Sequence, residues 1–394
     1  MKKVNVLSTF LILVVFKSGV LFSKEQVLKI NSDEITVGLK DSAQSLLSAG
    51  VLKNTEKDYS AAIVYFTKAI EADPDLGSAY LSRAYAKNKL LDYRGALSDY
   101  SNALKLKLTW EESYEAYFNK GLTLAMLENL RAAMADFNTA IKLNPEFADA
   151  YYNRSIVRGR AGDLQGELMD INKVISLSPS DANAFNSRGI VYSRQGNYYG
   201  AIKDFNQAIE LDNSNSQFYF NRALIFYVLG EFRAALNDYN MAIQISPDAE
   251  TFTRRANVKC KLNDFRGAFD DYTTSIKKDT NYYVAYVNRG YLKFDLKDYK
   301  SAIEDYNKAI KIKPDYSLAY YNRGLAKEKL SDHKGEIADY TKAIEFKPDD
   351  ENAYTKRGLA KYVIGDKTGG CQDLNQAVKL GSDLAYNNLI EFCR

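Results

Sequence analysis

The sequence predicts an all-α solenoid of about ten tandem two-helix repeats, closed by a C-terminal capping helix. Three observations carry this prediction. A small residue recurs at Ala62, Ala96, Ala133, Ala201, Ala235, Ala268 and Ala302, with Glu167, Glu336 and Gly370 holding the same place in three more copies; the spacing is 34 residues except for one of 37 and one of 33. Within each copy, apolar residues recur at three- and four-residue intervals twice over, which marks two helical faces. All six prolines, at 74, 145, 179, 247, 314 and 348, fall in one slot after the second face, where proline stops a helix and restricts the residue before it. Self-similarity at such a period is the signature of stacked supersecondary units.

Composition narrows the class further. The 394 residues include 22 Gly, 3 Cys and one His, which excludes a disordered polymer, a collagen and a disulfide-dense scaffold. The formal charge of +3 is carried by Lys2, Lys3 and Lys17 in an N-terminal segment without acids, so a chain lacking that segment is neutral. Little net charge is then left to condense onto phosphate, and no nucleic acid is expected.

Residues 1–23 place two lysines before an apolar run from Val4 to Phe16, then Lys17 and a small-residue zone. This is the layout of a secretory signal peptide, and the run is short of the roughly 20 residues that span a bilayer. Export to a periplasmic or extracellular compartment is expected, the alternative being a membrane anchor; membrane contact follows only if the segment is retained. Residues 24–42 read as a linker, 43–381 as the repeats and 382–394 as the cap.

One copy, residues 182–215, shows how a repeat is built. Phe185, Arg188, Gly189 and Tyr192 lie on the face of a first helix, and Tyr198, Ala201, Phe205 and Ala208 on that of a second, with Gly196 and Asn197 between them. Glycine at the eighth slot (Gly121, Gly189, Gly290, Gly324, Gly358) lets paired helices approach, while aromatics at the twenty-fourth (among them Phe66, Tyr100, Phe137, Tyr306 and Tyr340) fill the volume between them. The residues around Leu108 to Ser113 hold a three-residue insertion with the only Trp, Trp110, and residues near Pro247 hold a one-residue deletion. Both belong in connections. The last stretch reads as a first helix without its partner, which caps the apolar face of the final copy.

Two charges keep constant register. Slot 23 is Asp and slot 7 is basic in nine successive copies, including Arg188 with Asp204, Arg222 with Asp238, Arg289 with Asp305 and Arg323 with Asp339. This predicts a structural ion pair between the helices of a copy or between neighbouring copies, with the fork of Arg on the carboxylate. A positive stripe for an acidic partner is the alternative, disfavoured by the equal number of aspartates. Cys371 on the last second helix and Cys393 on the cap can form a disulfide that ties the cap down, or remain two buried thiols.

Catalytic signatures are missing. His333 is the single histidine and reads as a helix-face substitution; no His/Cys cluster has metal-ligand spacing, and no phosphate loop or nucleophile elbow occurs. No enzyme, cofactor or metal is expected.

With its core AIxDYxxAIxxxP at this period, the chain resembles the tetratricopeptide repeat (TPR) family over 339 of its 394 residues. The resemblance implies a right-handed superhelical solenoid whose first helices line a concave groove, with slots 2, 5, 6, 9, 12 and 13 facing it, and a non-enzymatic scaffold for protein partners. Slot 6 is Asn119, Asn153, Asn221, Asn288 and Asn322, interrupted by Arg254 and Lys356. An amide can pair with the backbone of an extended segment, and this row resembles the asparagine ladder of the O-linked N-acetylglucosamine transferase family. Between these amides, Tyr152, Phe220, Tyr227, Tyr291 and Tyr321 are binding anchors or packing between adjacent first helices. A carboxylate clamp for chaperone C-termini needs Lys at slot 5, which no copy has. The other classes of function are an RNA-binding helical-repeat protein, reading one base per repeat, and a regulatory subunit of an envelope multiprotein complex.

Overall fold

The computed structural model of the chain describes residues 39–393, so the expected signal peptide at residues 1–23, most of the stretch read as a linker and Arg394 lie outside the described residues. Among the described residues there are 21 α-helices and no strand. The chain divides into two compact units, one up to Leu211 and one from Asp212 onward.

The first unit holds α1 (Leu39–Thr55), α2 (Tyr59–Ala72), α3 (Gly77–Lys89), α4 (Tyr93–Ala103), α5 (Trp110–Met126), α6 (Leu130–Leu143), α7 (Ala148–Arg160), α8 (Leu164–Leu177), α9 (Ala182–Arg194) and α10 (Tyr198–Leu211). The second holds α11 (Ser216–Leu229), α12 (Phe232–Ile245), α13 (Ala249–Lys261), α14 (Phe265–Lys278), α15 (Tyr283–Asp295), α16 (Tyr299–Ile312), α17 (Ser317–Lys329), α18 (His333–Phe346), α19 (Glu351–Val363), α20 (Lys367–Lys379) and α21 (Asp383–Phe392). Odd and even helices pair as hairpins along each unit, and within a unit each even helix also packs on the next odd one. The helix α1 starts at Leu39, four residues before the first copy expected at 43, because the period fixes packing contacts and not the first helical turn. The deletion falls in the connection between α12 and α13, but most of the insertion does not lengthen a connection: Trp110 to Ser113 form the first turn of α5, capped by Thr109, so that this helix runs 17 residues.

Each hairpin turn is set by two residues. The first adopts a left-handed backbone, at Gly162, Gly196, Gly230 and Gly365 but also at Lys57, Leu91, Glu128, Asn263, Lys297 and Ser331, a conformation that costs a non-glycine residue about 1 kcal/mol. The second is usually Asp, whose carboxylate accepts from the third N–H of the coming helix, as Asp298 does from Ser301 at 3.2 Å and Asp332 from Gly335 at 3.0 Å.

Packing inside a hairpin follows from slots 8 and 24. A Cβ placed on Gly290 would lie 2.7 Å from Cε1 of Tyr306, so only glycine lets α15 seat on that ring. The slot-24 rings are buried throughout, Tyr306 and Tyr340 completely. Their hydroxyls differ: that of Tyr340 donates to Glu328 at 3.2 Å, whereas that of Tyr306 has no hydrogen-bond partner. Burial pushes both phenols well above the usual tyrosine range. Removing an unsatisfied hydroxyl releases its desolvation penalty, while removing a bonded one strands its partner. Tyr306→Phe is therefore expected to raise the stability of the second unit by about 1 kcal/mol, and Tyr340→Phe to lower it by about 1 kcal/mol. Urea midpoints that shift in the same direction would contradict this.

Candidate functional site

The charged register is the most uniform feature of both units. Arg188 donates from Nε to Asp204 Oδ2 at 2.7 Å and from Nη2 to Oδ1 at 2.8 Å, and Arg222 with Asp238, Arg289 with Asp305 and Arg323 with Asp339 repeat this fork. Each pair joins the two helices of one hairpin. The third donor, Nη1, reaches the preceding hairpin: Arg188 to Asn172 at 2.8 Å, Arg289 to Thr273 at 3.1 Å and Arg323 to Asn307 at 2.6 Å. One guanidinium thus staples within a copy and between copies, the two arrangements left open by the spacing. It also lies over an aromatic three residues earlier, with Arg289 5.9 Å from the Tyr286 centroid and Arg323 5.4 Å from that of Tyr320.

A second cation on most of these aspartates escapes a reading of slots 7 and 23 alone. Lys87, Arg158, Lys259, Lys293, Lys327 and Lys361, one helical turn after the slot-7 base, all lie 2.8–2.9 Å from the same carboxylate. Their constant four-residue offset was the available signal. Where Lys120 replaces Arg, its Nζ makes a contact of 3.1 Å to Asp136 Oδ1, and burial, outweighing that lysine, holds the Asp136 carboxyl above the usual range. A point charge does not substitute for a fork.

The asparagine row is a correction to an open ladder. Asn119, Asn153, Asn221 and Asn322 are only 2–7% exposed, and Asn288 is half-buried. Slot 6 lies at the seam between adjacent first helices: Asn288 Nδ2 donates to Asn257 Oδ1 at 3.3 Å, and Tyr152 Oη lies 3.2 Å from Ser187 Oγ. Other amides are engaged along their own helix, Asn153 donating to the Asp149 carbonyl at 2.9 Å and Asn221 accepting from Gln217 at 2.9 Å. The aromatics divide similarly. Phe220 packs edge-on against Tyr239, Tyr227 against Phe232, and Tyr321 tilts on Tyr340, where burial lifts the Tyr321 phenol to about 12. Tyr291 is different, with 52% of its surface open on α15, and Leu318 on the next first helix is 46% open.

Cys371 and Cys393 form a disulfide across a Cα–Cα distance of 5.7 Å, tying α20 to α21, and Cys260 is a free half-buried thiol. His333 begins α18 and its Nδ1 lies 2.7 Å from Glu336 Oε1, so it fastens a buried carboxylate and is more than a face substitution. Among the described residues, no group of His, Cys, Asp and Glu is arranged to hold a metal ion, and no helix is long and apolar enough to cross a membrane.

Tandem helical hairpins with small residues under aromatics define an all-helical repeat protein of the solenoid class. Family models described as tetratricopeptide repeat match residues 43–76, 114–147, 182–215, 216–248 and 318–350, and one described as TPR repeat matches 290–331. Tetratricopeptide repeat protein 36 of Danio rerio is 30% identical over 127 residues, 32% of this chain and 68% of that protein. Its namesake of Xenopus tropicalis is 36% identical over 107 residues, 27% of this chain, and there the chain spans about half of the relative's length, 53%. A solved tetratricopeptide repeat protein from Parabacteroides merdae shares the fold with a TM-score of 0.52 and 19% identity, over 64% of this chain and 98% of that one. The chain belongs to the tetratricopeptide repeat family.

Proposed function

We propose that the protein is an exported, non-enzymatic scaffold of ten TPR copies that holds an extended protein segment against its first-helix face. The supporting observation is the pair Tyr291 and Leu318, open to solvent on the neighbouring first helices α15 and α17 while the other aromatics of that row are packed. A rigid aromatic at 52% exposure is the kind of side chain that anchors a partner. The cations of slots 7 and 11 are engaged by aspartates, which favours a protein partner over a nucleic acid. The layout of residues 1–23 and the Cys371–Cys393 bridge both suit an oxidising compartment outside the cytoplasm.

The experiment is capture of the native protein with its partner. Mass spectrometry should find the chain shortened by residues near 1–23; an intact Met1 leaves a retained membrane anchor or a cytoplasmic protein and removes the claim of a cleaved, exported chain. Tyr291→Ala should then weaken binding of the captured partner about tenfold, at an unchanged thermal midpoint. Undiminished binding, or a lowered midpoint, defeats the role given to this face.

A further inference from the structure

Slot 20 carries a carboxylate in two copies where the others hold a small residue, and the two carboxylates are satisfied differently. In the first unit, Glu167 on α8 is met by Arg194 from α9: Nη1 donates to Oε2 at 2.6 Å while Nη2 reaches the Gly159 carbonyl at 3.3 Å. Gly159 leaves the room for this, since a Cβ there would stand 2.6 Å from the Glu167 carboxylate. The slot-20 acid of this chain therefore has a demonstrated partner, a guanidinium arriving from slot 13 of the next first helix.

In the second unit the corresponding acid is Glu336 on α18, and slot 13 of the next first helix is Val363, an exposed residue that cannot supply a charge. Glu336 Oε1 bonds to His333 Nδ1, but Oε2 is buried with no hydrogen-bond partner, on a side chain only 2% exposed. In place of Gly159 stands a second acid, Glu328, which accepts from Tyr340 at 3.2 Å and from Lys356 Nζ at 3.0 and 3.2 Å. Burial pushes the Glu336 carboxyl above the usual range; the neighbouring charge of Glu328 acts in the same sense, and His333 and Lys356 against it. A buried carboxylate oxygen without a donor is costly. The local structure holds two acids, one of them short of a donor, at the place where the other unit uses arginine.

We propose that Glu336 and Glu328 receive the guanidinium of an arginine carried by the bound protein segment, at the position that Arg194 fills from within the chain in the first unit. The inference rests on the extended-segment reading above and names the chemistry of that segment. Arginine fits better than lysine because its planar fork can meet a carboxylate and still donate to a second acceptor, as Arg194 does. The Tyr291 and Leu318 surface lies on the two first helices that precede α19 in the same unit, so apolar residues on the segment accompany the arginine.

The test uses the full chain and two readouts. Val363→Arg supplies the missing guanidinium in cis and is expected to raise the thermal midpoint by about 2–4 °C, a gain that Glu336→Gln should abolish. No gain, or an equal gain in the Glu336→Gln background, shows that no guanidinium is received and overturns the proposal. The second readout is titration with an acetylated, amidated nonapeptide bearing one arginine among leucines and alanines, against its citrulline twin. The arginine peptide should bind about tenfold more tightly to the natural chain, and this preference should vanish in Val363→Arg and in Glu336→Gln. Equal binding of the two peptides overturns the selectivity. A midpoint gain with neither peptide bound would keep the guanidinium pocket and remove an extended segment as its source, which separates this failure from that of the scaffold reading.

Discussion

Asp305→Ala should cost the second unit about 3 kcal/mol, the low end of what removing one partner of a buried pair costs, read as a fall in urea midpoint at constant slope. The carboxylate is 3% exposed and holds three donors: Nε and Nη2 of Arg289 at 2.9 and 2.7 Å, and Nζ of Lys293 at 2.8 Å. Without it two cations one turn apart on α15 lose their shared anion, and Arg289 cannot swing away, because it is also held by Thr273 on the preceding hairpin and by the Tyr286 ring. The charge and not the volume is at issue, so Asp305→Asn should lose most of the same stability. Replacing the acid and both bases by apolar residues of similar size should restore much of it, since an ion pair of this kind gives back little beyond its own desolvation. Asp136 provides the internal comparison: it faces Lys120 alone, and its carboxyl already sits above the ordinary range. Asp136→Ala should therefore cost clearly less than Asp305→Ala. Equal losses at the two positions would mean that the fork contributes nothing beyond a single point contact.

The parts of this molecule that were legible in its sequence are those imposed on every copy. Glycine at slot 8 and an aromatic at slot 24 recur because each hairpin solves the same packing problem, as Gly290 and Tyr306 do in contact, and a requirement repeated at constant period can be read without coordinates. The Arg–Asp fork is legible for the same reason. The second cation at slot 11 recurs too, but lysine on an exposed helix is common and takes its meaning only from the carboxylate 2.8 Å away. The asparagine row shows the opposite limit. The family resemblance places slot 6 on the groove-facing side of the first helices, yet it cannot say how far that slot is covered, which depends on how the helices pack; the structure buries Asn221 and Asn322. Features unique to one copy were the least legible. Glu336 interrupts a run of alanines, and that its outer oxygen lacks a donor depends on Val363 standing 27 residues later where Arg194 stands in the first unit.

Deleting residues 382–394 should damage the second unit by more than thirteen residues' worth of contacts. Two losses combine. The first is the disulfide: Cys371 and Cys393 enclose 22 residues of sequence separation, and a loop of that size restricts the opened chain by about 3 kcal/mol in the loop-entropy account. The second is cover, since Leu374, Ala377 and Ala385 are fully buried in one cluster between α20 and α21, with Leu359, Val378 and Leu389 against it. A fully buried leucine alone is worth about 2 kcal/mol of apolar burial, and a terminal repeat without a covering helix presents that face to other molecules. The two contributions separate by experiment. Cys371→Ser with Cys393→Ser removes the link and leaves α21 in place, so amide exchange in α20 and α21 should quicken while the chain stays soluble. Truncation removes both, and should add a lower thermal midpoint and concentration-dependent association. If the truncated chain matches the full one in midpoint and in solubility, the contacts of α21 with Leu374 and Val378 contribute nothing to the array and the segment is no cap.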